Sequence, residues 1–431
     1  MASARSNGIW AVAQQLTTVG LSGLFAIALI RVLPVADYGH FSYATTLGTL
    51  GAAVMTGGLQ TLAVRELRLR ERGTRTVMSS VIVVRELIAL AVYILFVAYS
   101  AAFAGSGTVI PTAVACVSVL ARVFDAPELY FQSELKTKTP ALIRMSVSIA
   151  FFVARISAIF LGGSVILFVA LFALEYVVAT IVIGVVYKRE TGNPIVESPN
   201  WEYTRSIARQ ASPLALSGVA NQINLRVDVI LLQSLSGATS VGLYSAAARI
   251  SEILYIVPTA YMGATFPSLV DLKKSGDKSA YRRALEWGFS GAFYAGIMVA
   301  LLIYFLSDWI VALLFGDAYE LSANVLKIHV FACPFVFMAA VLSKWIVAEG
   351  VLWASFVRHF SGAAIAIVLN ILLIPTFGIV GSAWATLCSY AAASYFFCFF
   401  SKSTLSAAWM MSKAPAVPVL YLISRMRGKE G

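Results

Sequence analysis

Ser164-Val-Ile-Leu-Phe-Val-Ala-Leu-Phe-Ala-Leu-Glu175-Tyr-Val-Val-Ala-Thr-Ile-Val-Ile-Gly-Val-Val-Tyr187 holds one charged side chain, Glu175, and is followed at once by Lys188-Arg189-Glu190. A hydrocarbon core about 30 Å thick needs roughly 20 mainly apolar residues in a helix to cross it. This stretch is long enough, and nothing inside it breaks a helix. It therefore reads as a membrane span ending in a polar connection.

Working outward, five similar windows precede it, at 9–33, 39–64, 77–103, 109–131 and 141–161, and six follow, at 211–234, 241–270, 285–306, 322–348, 351–374 and 382–400. With 59% hydrophobic and 12% charged residues over 431 positions, and a mean hydropathy of +0.83, a bilayer is the solvent such a chain needs. The short alternating segments of a membrane barrel are absent. The run from Ile9 to Ile30 exceeds the h-region of a secretory signal and continues into Arg31, so it reads as a retained first helix. The expected fold is an all-α integral membrane protein of about twelve transmembrane helices, as two pseudo-symmetric six-helix bundles around a central cavity. The lobes are expected at 1–190 and 211–402, with a cytoplasmic linker at 191–210 and an interfacial tail at 403–431.

Charge sets the orientation. Nine of the 32 Lys and Arg residues are read as lying at membrane depth: Arg31, Arg85, Arg122, Arg144, Arg155, Arg226, Arg249, Lys327 and Lys344. The others, among them Arg5, Arg65, Arg70, Arg72, Lys136, Lys188, Lys273, Lys274, Arg282, Lys402, Lys413 and Arg425, fall in alternate connections or the tail, and Arg358, in the first turns of the 351–374 window, is counted with the cytoplasmic connection before it. The intervening connections at 34–38, 104–108, 162–163, 235–240, 307–321 and 375–381 contain none. The positive-inside rule then places both termini in the cytoplasm. The net charge of +11 is accounted for by this rule and by anionic headgroups, without nucleic acid. The tail from Thr404 to Ser424 is interrupted by Lys413, Pro415 and Pro418 and is expected to lie at the interface.

Charges at membrane depth cost enough that most must face protein or a wet cavity. Arg122 with Asp125, and Arg249 with Glu252, have the i,i+3 spacing of a pair on one helix face, which suits a structural pair and a cavity lining equally. Arg31 and Arg144, near helix ends, are placed either to snorkel or to face inward, and Arg85 and Lys344 are read as snorkelling. Arg155 and Arg226 are deeper and have no partner at i,i+3 or i,i+4, which makes them the leading cavity cations. Asn221, Asn224 and Asp228 share one face of the seventh window and Gln222 and Arg226 another, a polarity that suits a hydrated lumen or interhelical hydrogen bonding. The candidate substrate-binding residues are therefore Arg155, Arg226, Arg249, Arg31, Lys327, Asn221 and Asn224. The candidate ion-coupling carboxylates are Asp228, Glu252, Asp125 and Glu175. Four cysteines without CxxC or metal spacing and three scattered histidines give no metal site, cofactor site or catalytic arrangement, so the chain is read as no enzyme. No Walker A sequence is present, which leaves an ion gradient, membrane potential or product removal to drive any transport.

Gly39-His-Phe-Ser-Tyr-Ala44 and Gly242-Leu-Tyr-Ser-Ala-Ala247 occupy equivalent places in the two halves and suggest a duplicated six-helix unit. Together with Arg31-x-Leu33-Pro34, Val64-Arg65-Glu66-Leu67, Asp228, Phe266-Pro267-Ser268-Leu269, Leu314-Phe315-Gly316-x-x-Tyr319 and Gly378-x-x-Gly381-Ser382-Ala383-Trp384-Ala385-Thr386, they carry a resemblance over about residues 5–400. The chain resembles the Wzx-type polysaccharide flippases of the multidrug/oligosaccharidyl-lipid/polysaccharide exporter superfamily. That resemblance implies two lobes around a cationic cavity and alternating access. The implied transport carries undecaprenyl-diphosphate-linked oligosaccharide repeat units to the periplasmic leaflet of a bacterial inner membrane, for O-antigen or exopolysaccharide assembly. Membrane lipids and the polysaccharide polymerase and export proteins are the implied partners. Relatives that flip the peptidoglycan precursor usually have fourteen helices, which the expected twelve speaks against. A cation-coupled multidrug antiporter would favour more uncompensated carboxylates, and a membrane glycan polymerase or ligase would need a larger external loop.

Overall fold

Two glycines in left-handed backbone interrupt the two longest helical runs. The computed structural model describes residues 2–69, 73–192 and 199–421, and every regular element among them is helical. The main helices are α1 (Ala2–Val32), α2 (Val35–Thr56), α3 (Leu59–Leu69), α4 (Thr74–Phe103), α5 (Val109–Arg122), α6 (Ala126–Ser133), α7 (Lys138–Phe160) and α8 (Val165–Thr191). They continue as α9 (Trp201–Leu254), α10 (Ile256–Lys274), α11 (Lys278–Phe315), α12 (Glu320–His329), α13 (Cys333–Glu349), α14 (Leu352–Ser394) and α15 (Leu405–Lys413). Ten described segments are long and apolar enough to cross a membrane by length and composition. Two of them, Gly218–Lys274 and Trp353–Phe399, have 57 and 47 residues. A straight 57-residue helix would run about 85 Å, far more than one bilayer. Gly237 (φ 81°) and Gly378 (φ 55°) break the helical path of α9 and α14, in backbone that costs a residue with Cβ and not glycine. Both breaks fall inside connections expected to be external.

Contacts gather the chain into two compact units, Met1–Gly242 and Leu243–Gly431. The boundary lies beyond the 191–210 linker because the first part of α9 packs on the helices before it. Tyr99 and Ser234 share a hydrogen bond of 2.9 Å, Gln233 Nε2 donates to the Ala104 carbonyl at 3.1 Å, and Thr204 Oγ1 meets Ser80 Oγ at 2.9 Å. The division at 191–210 rests on the sequence repeat and is a separate matter from this packing boundary. α8 ends at Gly192 in left-handed backbone, and the polar residues 201–210 form the first turns of α9. The cationic positions Arg70, Arg72, Arg425, Arg427 and Lys429 lie outside the described residues.

Side chains set the local geometry. Gly48 and Gly51 let α2 approach α5, where an added Cβ would come 3.2 Å from the Ala115 carbonyl oxygen and 3.0 Å from Val119, whereas Gly20 has open space around it. Pro267 sits inside α10, which runs on to Lys274. Asp277 caps α11 by accepting from Ser279 N and Ala280 N, and these bonds hold its carboxyl below the usual range. In the second unit a core of Phe289, Leu342, Trp345, Ile346, Ala407 and Met411 seats α15 against α11 and α13. Nine residues of helix span about 14 Å, so α15 cannot cross the bilayer.

Candidate functional site

A polar cavity of about 360 Å³ opens inside the first unit, walled by α1, α3, α4, α5, α6, α7 and α8. Its charged lining is Arg85, Arg122, Arg144 and Arg155 with Asp125, Glu128 and Glu175, one positive charge in excess. Neutral donors and acceptors complete it: Gln14, Thr18 and Ser22 from α1, and Gln60 and Gln132 beside them.

Asp125 and Glu128 reach this wall because the helix breaks between them and Arg122. Val123–Asp125 form a tight 3-10 turn between α5 and α6, and Pro127 lies in the first turn of α6. The expected Arg122–Asp125 pair is replaced by contacts across helices. Asp125 takes a hydrogen bond from Thr180 Oγ1 (2.6 Å) and an ion pair from Arg144 Nη2 (3.0 Å), while Arg122 lies over the Tyr176 ring at 3.7 Å. Arg144 is clamped rather than snorkelling, since its Nε and Nη2 also donate to Glu128 Oε2 at 2.9 and 2.6 Å. Arg155, read from sequence as having no local partner, is paired across helices with Glu175 at 2.5 Å, and Ser148 donates to the other carboxylate oxygen.

Arg85 differs from these. It is 1% exposed, and its Nε and Nη1 have no hydrogen-bond partner. The snorkelling expected for it fails, because α4 turns this side chain into the bundle where Asp125 and Glu128 supply the nearby negative charge. Buried Nε atoms of Arg122 and Arg155 are also unpartnered. The site thus consists of held carboxylates and arginines with donors to spare, an arrangement suited to a multiply charged anion.

Of the residues singled out from sequence, the cavity brings together Arg155, Asp125 and Glu175. Arg31 is exposed in the last turn of α1. Asn221, Asn224, Arg226 and Asp228 lie on α9 before Gly237, with Asn224 and Asp228 buried, Asn224 Oδ1 unpartnered, and the Asp228 carboxylate accepting from Val229 N. Arg249 and Glu252 form their expected pair at 3.9 Å near the end of α9. Lys327 joins α12 to Asp308 of α11 at 2.7 Å, so its charge is balanced at a partly exposed position. Arg85, Arg144 and Glu128 were not among the leading candidates read from the sequence. Counting inward from the start of α7 and from the end of α6 would have put Arg144 and Glu128 at neighbouring depths, whereas Arg85 lies deeper along α4.

Two family models each match more than half of the chain: "Polysaccharide biosynthesis protein" over residues 4–273 and "Lipid II flippase MurJ" over 143–426. The second match means that helix count alone does not separate this chain from the peptidoglycan-precursor branch. Among curated proteins, the capsular polysaccharide biosynthesis protein CapF of Staphylococcus aureus is 24% identical over 171 residues, 40% of this chain and 43% of that protein. The probable flippase AglR of Haloferax volcanii is 28% identical over 173 residues, 38% of this chain and 35% of that protein. The chain thus spans less than half the length of either relative in these matches. Among solved structures, the lipid II flippase MurJ in an inward closed conformation aligns with a TM-score of 0.72 at 17% identity, covering 96% of this chain and 92% of that one. An inward-facing multidrug transporter of the same superfamily aligns at 0.67 and 16% identity, covering 96% and 99%. With two pseudo-symmetric helical bundles as the shared architecture, this multi-pass membrane chain belongs to the polysaccharide biosynthesis protein family of the multidrug/oligosaccharidyl-lipid/polysaccharide exporter superfamily.

Proposed function

We propose that the protein flips undecaprenyl-diphosphate-linked oligosaccharide repeat units from the cytoplasmic to the periplasmic leaflet of a bacterial inner membrane by alternating access. The observation that carries this reading is the cavity in the first unit, where arginines outnumber carboxylates and Arg85 is buried with donors unused. A diphosphate offers several acceptor oxygens and two or more negative charges, which such donors match. The cavity has room for a diphosphate and the first part of a sugar, with Gln14, Gln60 and Gln132 available to hydroxyls. Twelve crossings, both termini cytoplasmic and lobes at 1–190 and 211–402 complete the proposed topology, with polymerase and export proteins acting on the product.

Asp125 and Glu175 each hold an arginine and balance charge. Ion coupling is assigned to Asp228 and to Glu252, whose pair with Arg249 at 3.9 Å is looser than those two, with Arg226, Arg249, Asn221 and Asn224 beside them on α9, and Arg31 and Lys327 are assigned to guiding the anion. A ligand drives a conformational equilibrium only through different affinities for its two states, so a coupling carboxylate must bind its ion in one state only. The antiporter alternative would need carboxylates free of arginine in the cavity, and the three present are engaged or faced by cations.

The test is leaflet exchange in vesicles. Purified protein should accelerate exchange of fluorescent undecaprenyl-diphosphate-linked oligosaccharide over lipid alone, and Arg122→Gln should slow it by tenfold or more, roughly the value of one charge-assisted hydrogen bond. Exchange no faster than in empty vesicles, alongside gradient-driven uptake of a cationic dye, would replace this reading with the antiporter.

A further inference from the structure

We infer that the second unit carries a binding site for an anionic phospholipid, built from two adjoining cavities of opposite character at the ends of α11, α13 and α14. This site is distinct from the charged cavity and takes no part in the proposed binding of the transported glycan.

The first cavity, about 520 Å³, is lined by Arg282 at the start of α11, Lys413 at the end of α15, Ser403, Ser406, Trp345 and Trp409. Glu349 also faces it, but that carboxylate is already held by Lys273 Nζ at 2.8 Å and by the Tyr281 hydroxyl at 2.9 Å. Arg282 meets Glu286 at 2.9 Å and leaves the rest of its guanidinium exposed. Lys413 has no carboxylate within ion-pair distance among the described residues. Two cations and two hydroxyls thus converge on one polar space beside two tryptophans, the composition of a headgroup site at a membrane interface.

The second cavity, about 440 Å³, is lined by Trp353, Ala354, Val357, Phe397 and Phe400. Trp353 and Phe400 stand 69% and 86% exposed, and Trp353 continues into a ring ladder along α14, 4.8 Å to Phe356 and then 5.9 Å from Phe356 to Phe360. An apolar ladder of this kind suits an acyl chain running along the helix. The two cavities share the lining residues Val351 and Ser403, so the cationic space opens directly beside the apolar one.

That adjacency selects the occupant. A free phosphate would use the first cavity and leave the second unexplained, and a hydrocarbon would do the reverse. A phospholipid uses both, with its phosphate on Lys413 and Arg282 and a chain against Trp353 and Phe400. Charge complementarity points the same way. Lys273, Lys274, Lys278, Arg283 and Lys402 cluster around these helix ends, which places them on the side where the positive-inside rule puts the anionic leaflet.

Native mass spectrometry of the full chain, purified in mild detergent and exposed to phosphatidylglycerol or phosphatidylethanolamine, tests this. The parent is expected to retain phosphatidylglycerol in preference to phosphatidylethanolamine, and Lys413→Gln with Arg282→Gln to lower that retention on the order of tenfold. Lys413→Arg should keep it, and Phe400→Ala should weaken long-chain phosphatidylglycerol more than a short-chain homologue. A monodisperse elution profile matching the parent's shows that each variant is folded. Equal retention of the two lipids by the parent, or undiminished retention by the double variant, overturns the site. Displacement of the lipid by millimolar inorganic phosphate as effectively as by phosphatidylglycerol would show a phosphate site without a lipid chain and would also overturn it. Glycan exchange by the double variant at the parent's rate is expected, so loss of this site and loss of the proposed function are read separately.

Discussion

Arg85 and Arg144 are neighbours in one cavity with opposite relations to stability. Arg144 answers two carboxylates at 3.0 and 2.6 Å, each partly shielded from solvent. Removing one member of such a group strands the others, so Arg144→Ala should cost on the order of 3 kcal/mol in detergent unfolding. Adding Asp125→Asn and Glu128→Gln should return much of that loss. Arg85 has donors that nothing accepts, and burying them opposes folding. We predict that Arg85→Met leaves the melting temperature equal to or above the parent's while lowering glycan exchange at least tenfold. A melting temperature that falls together with exchange would make Arg85 a structural residue. Arg122, resting on Tyr176, should fall between the two, with a stability loss of about 1 kcal/mol in Arg122→Gln.

Elements meet where the repeated motif is found. Gly39 opens the second turn of α2, and a Cβ built there would stand 1.9 Å from the Ala238 carbonyl oxygen and 3.1 Å from Gly242 N. A Cβ on Gly242 would stand 2.2 Å from the Val35 carbonyl oxygen. The glycines of the two motif copies therefore pack reciprocally, backbone on backbone, within the first unit. The contact gives those two glycines a shared task. Gly39→Ala and Gly242→Ala are predicted to lower the melting temperature markedly, because backbone and not a flexible side chain must move. Gly20→Ala, with nothing within 4 Å, should be neutral or raise it, through a helix propensity gain of up to about 1 kcal/mol. Thermal unfolding of the three proteins checks this, and an unaffected Gly39→Ala would show that α2 and α9 do not pack this closely.

For the whole molecule the open quantity is the number and direction of crossings. Ten described segments meet the length and composition needed, and the two longest are divided by Gly237 and Gly378. If each half crosses separately, Ser236 lies outside with Asp317, and Lys274 inside with the terminus. Alkaline phosphatase fused after Ser236 or Asp317 should then be active, and fused after Lys274 or Gly431 inactive. Activity at Gly431 would require an odd number of crossings and remove the proposed orientation. Arg358 qualifies the charge argument without reversing it. It was counted as a cytoplasmic loop cation, yet α14 carries it 6% exposed, donating to Ser343 Oγ at 2.9 Å and within 3.1 Å of His359 Nε2.

The membrane class, the windows and the asymmetry of Lys and Arg were legible in the chain alone, because each depends on local composition measured against a fixed bilayer thickness. The family was legible too, through short motifs at matching positions. The site was legible only in part. Arg155, Asp125 and Glu175 could be named, since a charge at depth must face inward whatever it meets. Which charges meet is a property of neighbouring helices. Arg144 reaches Asp125 because a 3-10 turn ends α5 there, and Arg155 finds Glu175 because α7 and α8 lie side by side. Spacing along one helix carries no record of those contacts, so the i,i+3 rule held for Arg249 and Glu252 on a continuous helix and failed for Arg122 and Asp125 across a break. Charge and hydropathy act residue by residue and are written in the sequence. Ion pairs between helices, and the donors they leave unused on Arg85, were decided by packing.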